Sequence, residues 1–385
     1  MAESLFALNG PSLVVFGDGA LGDIGALARK LSGTRALIIT DPNVVRNGTV
    51  QEATRRLEEA GLTVRCWDGV VEEPSTAMVA ACREWARQER FDLLLALGGG
   101  SVMDLAKVVG VLMSHGGTVY DYFGPDLVPG RGLPTIMVPT TAGTGAETTP
   151  NAIIRDEQDG AKKALVSRHL VPDAVVLDPR TTVSLPPTVT AATGLDALTH
   201  SVESLVGRRA NPLSDGVALE SIRLIFGALD RAVQDGRDLP ARSDLLMASF
   251  LGGVALSVAG TASVHALAYG LGTFGVAHGV ANGLLLPVTL EFNAPACEAK
   301  LARMAEMIGA AAGAGSPGEA AARAVQAIAA LVARLPVPHR LAELGLNADH
   351  LPHAVEVALS NARLLDNSPR EIGRSEAMAV YRRLL

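Results

Sequence analysis

The first half of the chain alternates short apolar runs with stretches whose apolar residues recur at helical spacing. The runs predict β-strands and the stretches predict helices, because side chains repeat every second residue in a strand and about every 3.6 residues in a helix. The predicted strands are 12–16, 36–40, 63–67, 93–97, 135–138 and 174–177, and the predicted helices are 51–60, 76–88 and 101–113. This alternation predicts a mostly parallel sheet with helices on both faces.

The pattern changes after the pair Pro186-Pro187. From residue 188 onward helical spacing dominates, and alternating strand patterns are almost absent. The predicted helices are 190–206, 213–233, 243–258, 261–271, 281–290, 296–312 and 318–330. We therefore predict two domains, an α/β domain over residues 1–185 and an all-helical domain over residues 186–385.

One long segment, between Asp244 and Glu291, contains no charged side chain. A segment of this length could hold a membrane-spanning helix. However, it is rich in Gly, Ser and Thr, it contains His265 and His278, and Pro287 interrupts its end. These features favour buried helices at the centre of a soluble domain. The N-terminus also lacks the basic and apolar regions of a signal peptide, so we expect no membrane association.

Composition narrows the range of partners and compartments. The 385 residues are 48% hydrophobic and carry a net charge of −7, which allows large cores and argues against nucleic-acid binding. The three cysteines, Cys66, Cys82 and Cys297, are too widely spaced for a CxxC site, and their odd number argues against a disulfide framework. We therefore expect a reducing, cytoplasmic location.

A glycine-rich turn follows the fourth predicted strand. Gly98, Gly99, Gly100 and Ser101 lead into a predicted helix that carries Asp104. Backbone N–H groups at such a turn can approach a phosphate, and the helix dipole favours an anion there. The turn is neither a GxGxxG nor a Walker sequence, so two interpretations stay open, nucleotide binding and an ordinary tight turn.

Two further strand ends carry groups that suit a nucleotide. Asp41 ends the second predicted strand, where a carboxylate can accept a hydrogen bond from a ribose 2′-OH and repel a 2′-phosphate. An Asp before a Pro is also common in ordinary turns. The loop at 139–147, PTTAGTGAE, follows a strand and is crowded with hydroxyl and backbone donors. The three loops could converge on one crevice, because ligands of parallel sheets bind at the carboxyl ends of the strands.

Four residues of the second half have the composition of a metal site. Asp196 and His200 are four residues apart and would face the same way on a helix, and His265 and His278 lie in the uncharged segment. One carboxylate and three imidazoles could hold a divalent transition metal such as Fe(II) or Zn(II). Each also has a structural interpretation, a surface Asp–His pair or a hydrogen-bonded core histidine. The combination favours the metal site, because buried ring nitrogens need partners.

The motifs taken together resemble a known family. They are GGGSVMDLAK at 98–107, PTTAGTGAETTPNAII at 139–154, GLDALTHSVES at 194–204 and HALAYGLGTFGVAHGVANGLLLP at 265–287. They resemble the iron-dependent (group III) alcohol dehydrogenases, which include lactaldehyde/1,2-propanediol and 1,3-propanediol oxidoreductases. The resemblance covers nearly the whole chain. It implies an α/β, Rossmann-like dinucleotide-binding domain, an all-α metal-binding domain, catalysis in the cleft between them, and a homodimer or larger homo-oligomer.

The resemblance also assigns residues. Those that match the family's metal ligands are Asp196, His200, His265 and His278. Those that match its cofactor contacts are Asp41, Gly98, Gly99, Gly100, Ser101, Asp104, Thr140, Thr141, Thr144 and Lys162. Asp41 implies NAD(H) rather than NADP(H), and Asn151 falls where a residue lines the substrate pocket. Tyr269 stands where the family often has a second histidine near the nicotinamide, and a phenol is a poorer base near neutral pH.

We therefore expect an enzyme that transfers a hydride reversibly between NAD(H) and a small alcohol or aldehyde, with Fe(II), or alternatively Zn(II), as a Lewis acid. Four arginines could favour a substrate with an anionic tail or could be solvated surface residues: Arg208, Arg209, Arg363 and Arg370. Three alternatives stay open. They are a maleylacetate-type reductase, a non-redox NAD/metal enzyme similar to dehydroquinate synthase, and a non-catalytic binding protein on the same scaffold.

Overall fold

The computed structural model describes residues 6–71 and 73–385. These residues form two compact units. One is Asn9–Ser184, and the other is Leu185–Leu385, to which residues 6–8 also belong. Each unit has its own secondary structure and its own core.

The first unit is of the α/β class. Its strands are β1 Leu13–Phe16, β2 Arg35–Thr40, β3 Thr63–Trp67, β4 Leu93–Gly98, β5 Gly124–Pro125, β6 Thr135–Pro139, β7 Asn151–Arg155, β8 Lys162–Val166 and β9 Ala174–Leu177. Its α-helices are α1 Ile24–Lys30, α2 Pro42–Arg46, α3 Thr49–Glu59, α4 Thr76–Ala86 and α5 Gly100–His115. Every predicted strand and helix of this half is present, with ends that differ by a few residues.

Six strands form the predicted parallel sheet, in the order β1-β9-β6-β4-β2-β3. The central strand β4 is fully buried, which explains its uninterrupted apolar sequence, because helices cover both faces of such a sheet. The order of strands along the chain reverses between the neighbours β2 and β4. Open α/β sheets bind their ligands outside the carboxyl ends of the strands at such a reversal.

A second, three-stranded sheet in the order β5-β8-β7 is absent from the sequence predictions. Strands β7 and β8 pair antiparallel, and β5 pairs parallel with β8. Strand β8 begins with Lys162 and Lys163, and both side chains form ion pairs with carboxylates. These two charged residues interrupt the alternation of apolar and polar residues that indicates a half-buried strand, so β8 is not predicted from the sequence.

The second unit is helical, as predicted. Its α-helices are α6 Pro187–Val206, α7 Pro212–Gln234, α8 Leu239–Ala259, α9 Ser263–Gly272, α10 His278–Asn293, α11 Glu298–Met307, α12 Pro317–Arg334, α13 Leu351–Ser360, α14 Ala362–Leu365 and α15 Arg374–Arg382. Helices α6, α7, α8 and α12 begin one to four residues before their predicted starts. Each has a proline in its first turn, where the missing N–H costs nothing.

Two sequence expectations in this half are wrong in detail. The helix predicted over 281–290, which contains Pro287, begins three residues earlier at His278 and continues to Asn293, and its proline ring removes one hydrogen bond. The helix predicted over 296–312 ends at Met307. Gly309 follows with a φ of +74°, a left-handed conformation that stops a helix.

Among the residues that the structure describes, one helix could cross a membrane by length and composition. It is α8, and half of the qualifying window is buried inside the protein. Helix α8 packs against α6 and α7. This burial is typical of a core helix, and such a helix on its own is weak evidence for a membrane span.

Candidate metal centre and cofactor loops

Helix α6 carries the first two predicted metal ligands. Asp196 is 4% exposed and His200 is 6% exposed, one turn apart on the same face of the helix. His200 Nε2 lies 3.9 Å from Asp196 Oδ1. Their burial rules out the alternative interpretation of a surface Asp–His pair.

The other two histidines lie on helices α9 and α10, which both contact α6. His265 lies in the first turn of α9, and His278 is the first residue of α10. Ligand atoms of Asp196, His265 and His278 all lie within 4.8 Å of one another. The His200 ring stacks on the His265 ring with 4.8 Å between their centroids. The structure thus brings the four side chains into one cluster, hereafter the Asp–His cluster.

The electrostatics of the Asp–His cluster suit a cation. Burial, together with the neighbouring His200 and His278, lowers the pKa of His265 well below its usual range. Burial opposes the charge on Asp196, but the three histidines together with a hydrogen bond from Asn282 lower the pKa of this carboxyl. A neutral imidazole and an ionised carboxylate are the forms that bind metals. One carboxylate and three imidazoles fit a divalent transition metal such as Fe(II) or Zn(II).

Two glycines let α10 approach α6 closely enough to form this cluster. A Cβ atom at Gly279 would lie 2.4 Å from the carbonyl oxygen of Ala192, and one at Gly283 would lie 2.5 Å from Leu195 Cδ1. Real side chains do not tolerate such distances. The glycine next to His278 therefore sets the separation of the two helices at the point where His278 faces Asp196.

Glu203, which contacts His265, is not among the residues predicted from the sequence. Glu203 lies seven residues after Asp196, two turns along the same face of α6, and is 2% exposed. Its Oε2 lies 2.7 Å from His265 Nδ1. Burial raises the pKa of Glu203 to about 7. The spacing of seven on a helix with two candidate ligands was a usable signal for this residue.

Asn282 is a second polar side chain that the sequence analysis missed. It lies one turn after His278 on α10 and is fully buried. Its Nδ2 donates to Asp196 Oδ1 at 2.7 Å and lies 3.3 Å from His265 Nε2 and 3.2 Å from His278 Nε2. Its Oδ1 is buried without a hydrogen-bond partner among the described residues. Asn282 therefore holds Asp196 from the side of α10.

Tyr269, the predicted catalytic phenol, lies one turn after His265 on α9. Its ring centroid is 6.0 Å from that of His278, and the side chain is partly exposed. The structure therefore places the phenol next to the Asp–His cluster.

In the α/β unit, the three predicted loops start from neighbouring strands. Thr40 at the end of β2 pairs with Leu97 of β4, and Gly98 pairs with Pro139 of β6. The Thr40 hydroxyl donates to the carbonyl oxygen of Leu97 at 2.6 Å. Because the strands are parallel and in register, Asp41, the glycine turn and the loop after β6 share one edge of the sheet.

The glycine turn leaves the N-terminus of α5 open. Gly99 is the N-cap residue and supplies no side-chain hydrogen bond to this helix. A Cβ at Gly100 would lie 2.8 Å from Thr144 Cγ2, and one at Gly99 would lie 3.4 Å from Thr141. The predicted threonines therefore lie beside the turn. Free backbone N–H groups at a helix N-terminus, flanked by hydroxyls, fit a phosphate group.

Asp41 has a structural role at its strand end. Its Oδ1 accepts hydrogen bonds from the backbone N–H groups of Asn43 at 2.8 Å and Val44 at 3.3 Å, so it is the N-cap of α2. Both hydrogen bonds use the same oxygen. The capping role and the predicted ribose contact are therefore compatible.

The remaining predicted cofactor and substrate residues lie farther along this unit. Asp104 is on α5, and its Oδ2 accepts from the backbone N–H of Ile153. Lys107, a residue not predicted from the sequence, is buried and donates to the carbonyl oxygen of Asn151 at 2.7 Å. These contacts fasten the start of β7 to α5. Lys162 is on β8, where its partner is Glu73 rather than a residue of the glycine turn.

Comparison with known proteins identifies the family. Residues 11–179 match the family model described as iron-containing alcohol dehydrogenase, and residues 190–385 match that of the C-terminal part of the Fe-containing alcohol dehydrogenase family. The chain is 38% identical over 375 residues to long-chain-alcohol dehydrogenase 1 of Geobacillus thermodenitrificans, covering 96% of this chain and 94% of that protein. It is 34% identical over 385 residues to the 1,3-propanediol dehydrogenase of Klebsiella pneumoniae, covering 99% of each.

A solved structure agrees with these relatives. The crystal structure of a 1,3-propanediol oxidoreductase superposes with a TM-score of 0.97 at 34% identity, and the alignment covers 99% of this chain and 100% of that one. The fold, the two family matches and the end-to-end relatives lead to one conclusion. This protein is an oxidoreductase that belongs to the iron-containing alcohol dehydrogenase family.

Proposed function

We propose that this protein is a metal-dependent, NAD(H)-linked alcohol dehydrogenase and aldehyde reductase that acts on small alcohol/aldehyde pairs. The Asp–His cluster carries the proposal, because a buried carboxylate beside three imidazoles is the donor set of a divalent metal site. Relatives named as alcohol and 1,3-propanediol dehydrogenases support the substrate class. The α/β unit, predicted over residues 1–185, is the cofactor-binding domain, and the helical unit, predicted over residues 186–385, is the metal-binding domain.

Asp196, His200, His265 and His278 hold the metal, Fe(II) in our proposal and Zn(II) as the alternative. When bound, the metal acts as a Lewis acid toward the substrate oxygen, and the nicotinamide supplies or accepts the hydride. In the direction of reduction, a hydride and a proton convert the carbonyl to an alcohol, and NADH becomes NAD⁺. The protein's part is to orient the reactants and to exclude water.

The turn formed by Gly98, Gly99, Gly100 and Ser101 binds the pyrophosphate through backbone N–H groups. The other residues that we propose for cofactor binding are Asp41, Asp104, Thr140, Thr141, Thr144 and Lys162. Asp41 accepts from the adenosine ribose and selects NAD(H). Asn151, which Lys107 fastens to α5, lines the substrate pocket.

The proposal is tested by NADH oxidation on protein reconstituted anaerobically with Fe(II), with Zn(II) and with a chelator. Small neutral aldehydes are expected to be reduced with Fe(II) and not in the chelated sample. Turnover that survives chelation would point to a maleylacetate-type reductase. Metal and NAD binding without NADH consumption on any aldehyde would overturn the proposal in favour of a non-redox enzyme. The absence of both binding and turnover would favour a non-catalytic protein.

The same assay decides whether an anionic tail is preferred. Arg208, Arg209, Arg363 and Arg370 are exposed, as expected for surface residues. Arg370 already has a structural role, because it donates to the carbonyl oxygen of Phe292 and stacks its guanidinium 4.1 Å above that ring. We therefore propose a neutral substrate. A higher kcat/KM for aldehydes that carry a carboxylate or sulfonate would contradict this choice.

Replacing Tyr269 by phenylalanine tests the proton route. If the phenol donates the proton to the product oxygen, Y269F should lower kcat for aldehyde reduction by about 100-fold or more, as expected for loss of a general acid, and leave the metal content unchanged. The measurement is kcat against pH for both proteins. Y122F is the matched control, because the Tyr122 hydroxyl bonds the Gly116 carbonyl in the α/β unit. An unchanged kcat for Y269F would mean that water supplies the proton.

We also propose that the protein is cytoplasmic and forms a homodimer or a larger homo-oligomer. The three cysteines are free, as is usual in a reducing compartment. Light scattering of the purified protein measures the oligomeric state directly.

A further inference from the structure

The carboxylate of Glu203 joins two helices of the second unit. Glu203 lies on α6, and its oxygens accept hydrogen bonds from backbone N–H groups at the start of α9, with Oε1 to Val264 N at 2.6 Å and Oε2 to Ala262 N at 2.9 Å. The N-cap residue of α9 is Ala262, whose methyl side chain cannot accept hydrogen bonds from these groups. Glu203 therefore caps α9 from a neighbouring helix, where the helix dipole favours a negative charge.

The same carboxylate contacts the His265 side chain. Glu203 Oε2 lies 2.7 Å from His265 Nδ1 and also faces the backbone N–H of His265 at 3.4 Å. Backbone donors point at both oxygens, an arrangement that suits an ionised carboxylate accepting the hydrogen of His265 Nδ1. His265 Nε2 is then unprotonated. It faces the rest of the Asp–His cluster, since it lies 3.3 Å from the Asn282 Nδ2 that also bonds Asp196.

We propose that Glu203 is a positioning residue for the metal centre, which fixes His265 in the tautomer protonated at Nδ1 and aims Nε2 at the metal. The inference rests on the proposed metal site and adds a residue outside the ligand set. A carboxylate bonded to the outer nitrogen of a ligating imidazole orients the ring and raises the basicity of the other nitrogen. Loss of such a partner lowers metal affinity about 10- to 100-fold.

The substitution Glu203→Gln tests the proposal with a readout other than activity. Glutamine keeps the shape but has one acceptor oxygen and no charge, so it cannot accept from both Val264 N–H and His265 Nδ1, which bond different oxygens of Glu203. Zn(II) affinity is measured by competition with a chromophoric chelator, beside the thermal unfolding of each protein. We expect E203Q to bind Zn(II) about 10- to 100-fold more weakly than the wild type.

Asp178→Asn is the matched control. Asp178 is 1% exposed and accepts hydrogen bonds from the backbone N–H groups of Gly19, Leu21 and Arg180 in the α/β unit. Both substitutions remove a buried carboxylate that holds backbone N–H groups, and both should lower stability, but only E203Q should weaken Zn(II) binding. Wild-type affinity in E203Q, or equal losses in both variants, would mean that Glu203 is only a cap and would overturn the proposal.

A second measurement does not depend on whether E203Q folds. In metal-free wild-type protein labelled with ¹⁵N-histidine, two-bond ¹H–¹⁵N correlations report which ring nitrogen carries the hydrogen. The His265 signals are assigned by their absence in His265→Gln. The proposal expects the hydrogen on Nδ1, and a hydrogen on Nε2 would overturn it. If the wild-type protein binds no Zn(II) while Nδ1 is protonated, the proposed metal site fails although the Glu203–His265 hydrogen bond stands.

Discussion

A single methyl group at Gly279 is expected to destroy the metal centre. In Gly279→Ala the new Cβ would lie 2.4 Å from the Ala192 carbonyl oxygen, an atom of the α6 backbone that no side-chain rotation can move. Helix α10 must therefore shift away from α6, and His278, the adjacent residue, must move away from Asp196. Overpacking of this kind costs about 1–3 kcal/mol of unfolding free energy, and a ligand displaced by about 1 Å can cost roughly 100-fold in kcat.

The measurements for Gly279→Ala are urea unfolding, Zn(II) affinity and NADH oxidation. Gly227→Ala is the control, because Gly227 lies within α7 and a Cβ there meets nothing within 4 Å. The control should bind metal normally and gain up to about 1 kcal/mol of stability from the higher helix propensity of alanine. Normal Zn(II) binding in G279A would show that the spacing of α6 and α10 does not set the site.

Replacing Asp41 by asparagine is expected to relax the choice of cofactor without unfolding α2. The asparagine Oδ1 can accept the same hydrogen bonds from Asn43 and Val44, and Asn and Asp are nearly equal as N-caps. The negative charge is lost. A carboxylate a few ångströms from a 2′-phosphate contributes about 1–3 kcal/mol of repulsion, so kcat/KM for NADPH should rise about 10- to 100-fold.

The measured quantity is the ratio of kcat/KM for NADH and NADPH, together with the melting temperature. Asp41→Ala separates the two roles of the residue, because it removes the cap as well as the charge and should cost about 1 kcal/mol of stability. An unchanged cofactor ratio in D41N would mean that Asp41 is only the N-cap of α2 and has no contact with the ribose.

Local patterns predicted most of the fold. Apolar runs indicated the six strands of the parallel sheet, and helical spacing indicated the second half, since both periodicities arise from neighbouring residues. The errors lie where a local signal is masked. Strand β8 was not predicted, because Lys162 and Lys163 interrupt its apolar pattern. The starts of four helices were predicted one to four residues too late, because each has a proline in its first turn.

The residues of the candidate site were likewise predicted only in part. The spacing of Asp196 and His200, the uncharged surroundings of His265 and His278, and the family motifs were sufficient to name the four ligands. Glu203 and Asn282 were missed, although each lies at a helical spacing from a named ligand. The spacing places each residue on the same helix face as a ligand, but it does not indicate which residue of another helix contacts it.

The sequence by itself determined the order of the elements, the two-part architecture and the candidate ligand set, because these follow from periodicity, local composition and family motifs within short segments. Only the tertiary structure decided what surrounds each ligand. Glu203 meets His265 across 62 residues of chain, and Asn282 meets Asp196 across 86. Such contacts follow from how closely helices pack, as α10 packs on α6 at Gly279, and packing distance is a property of two surfaces that no single segment encodes.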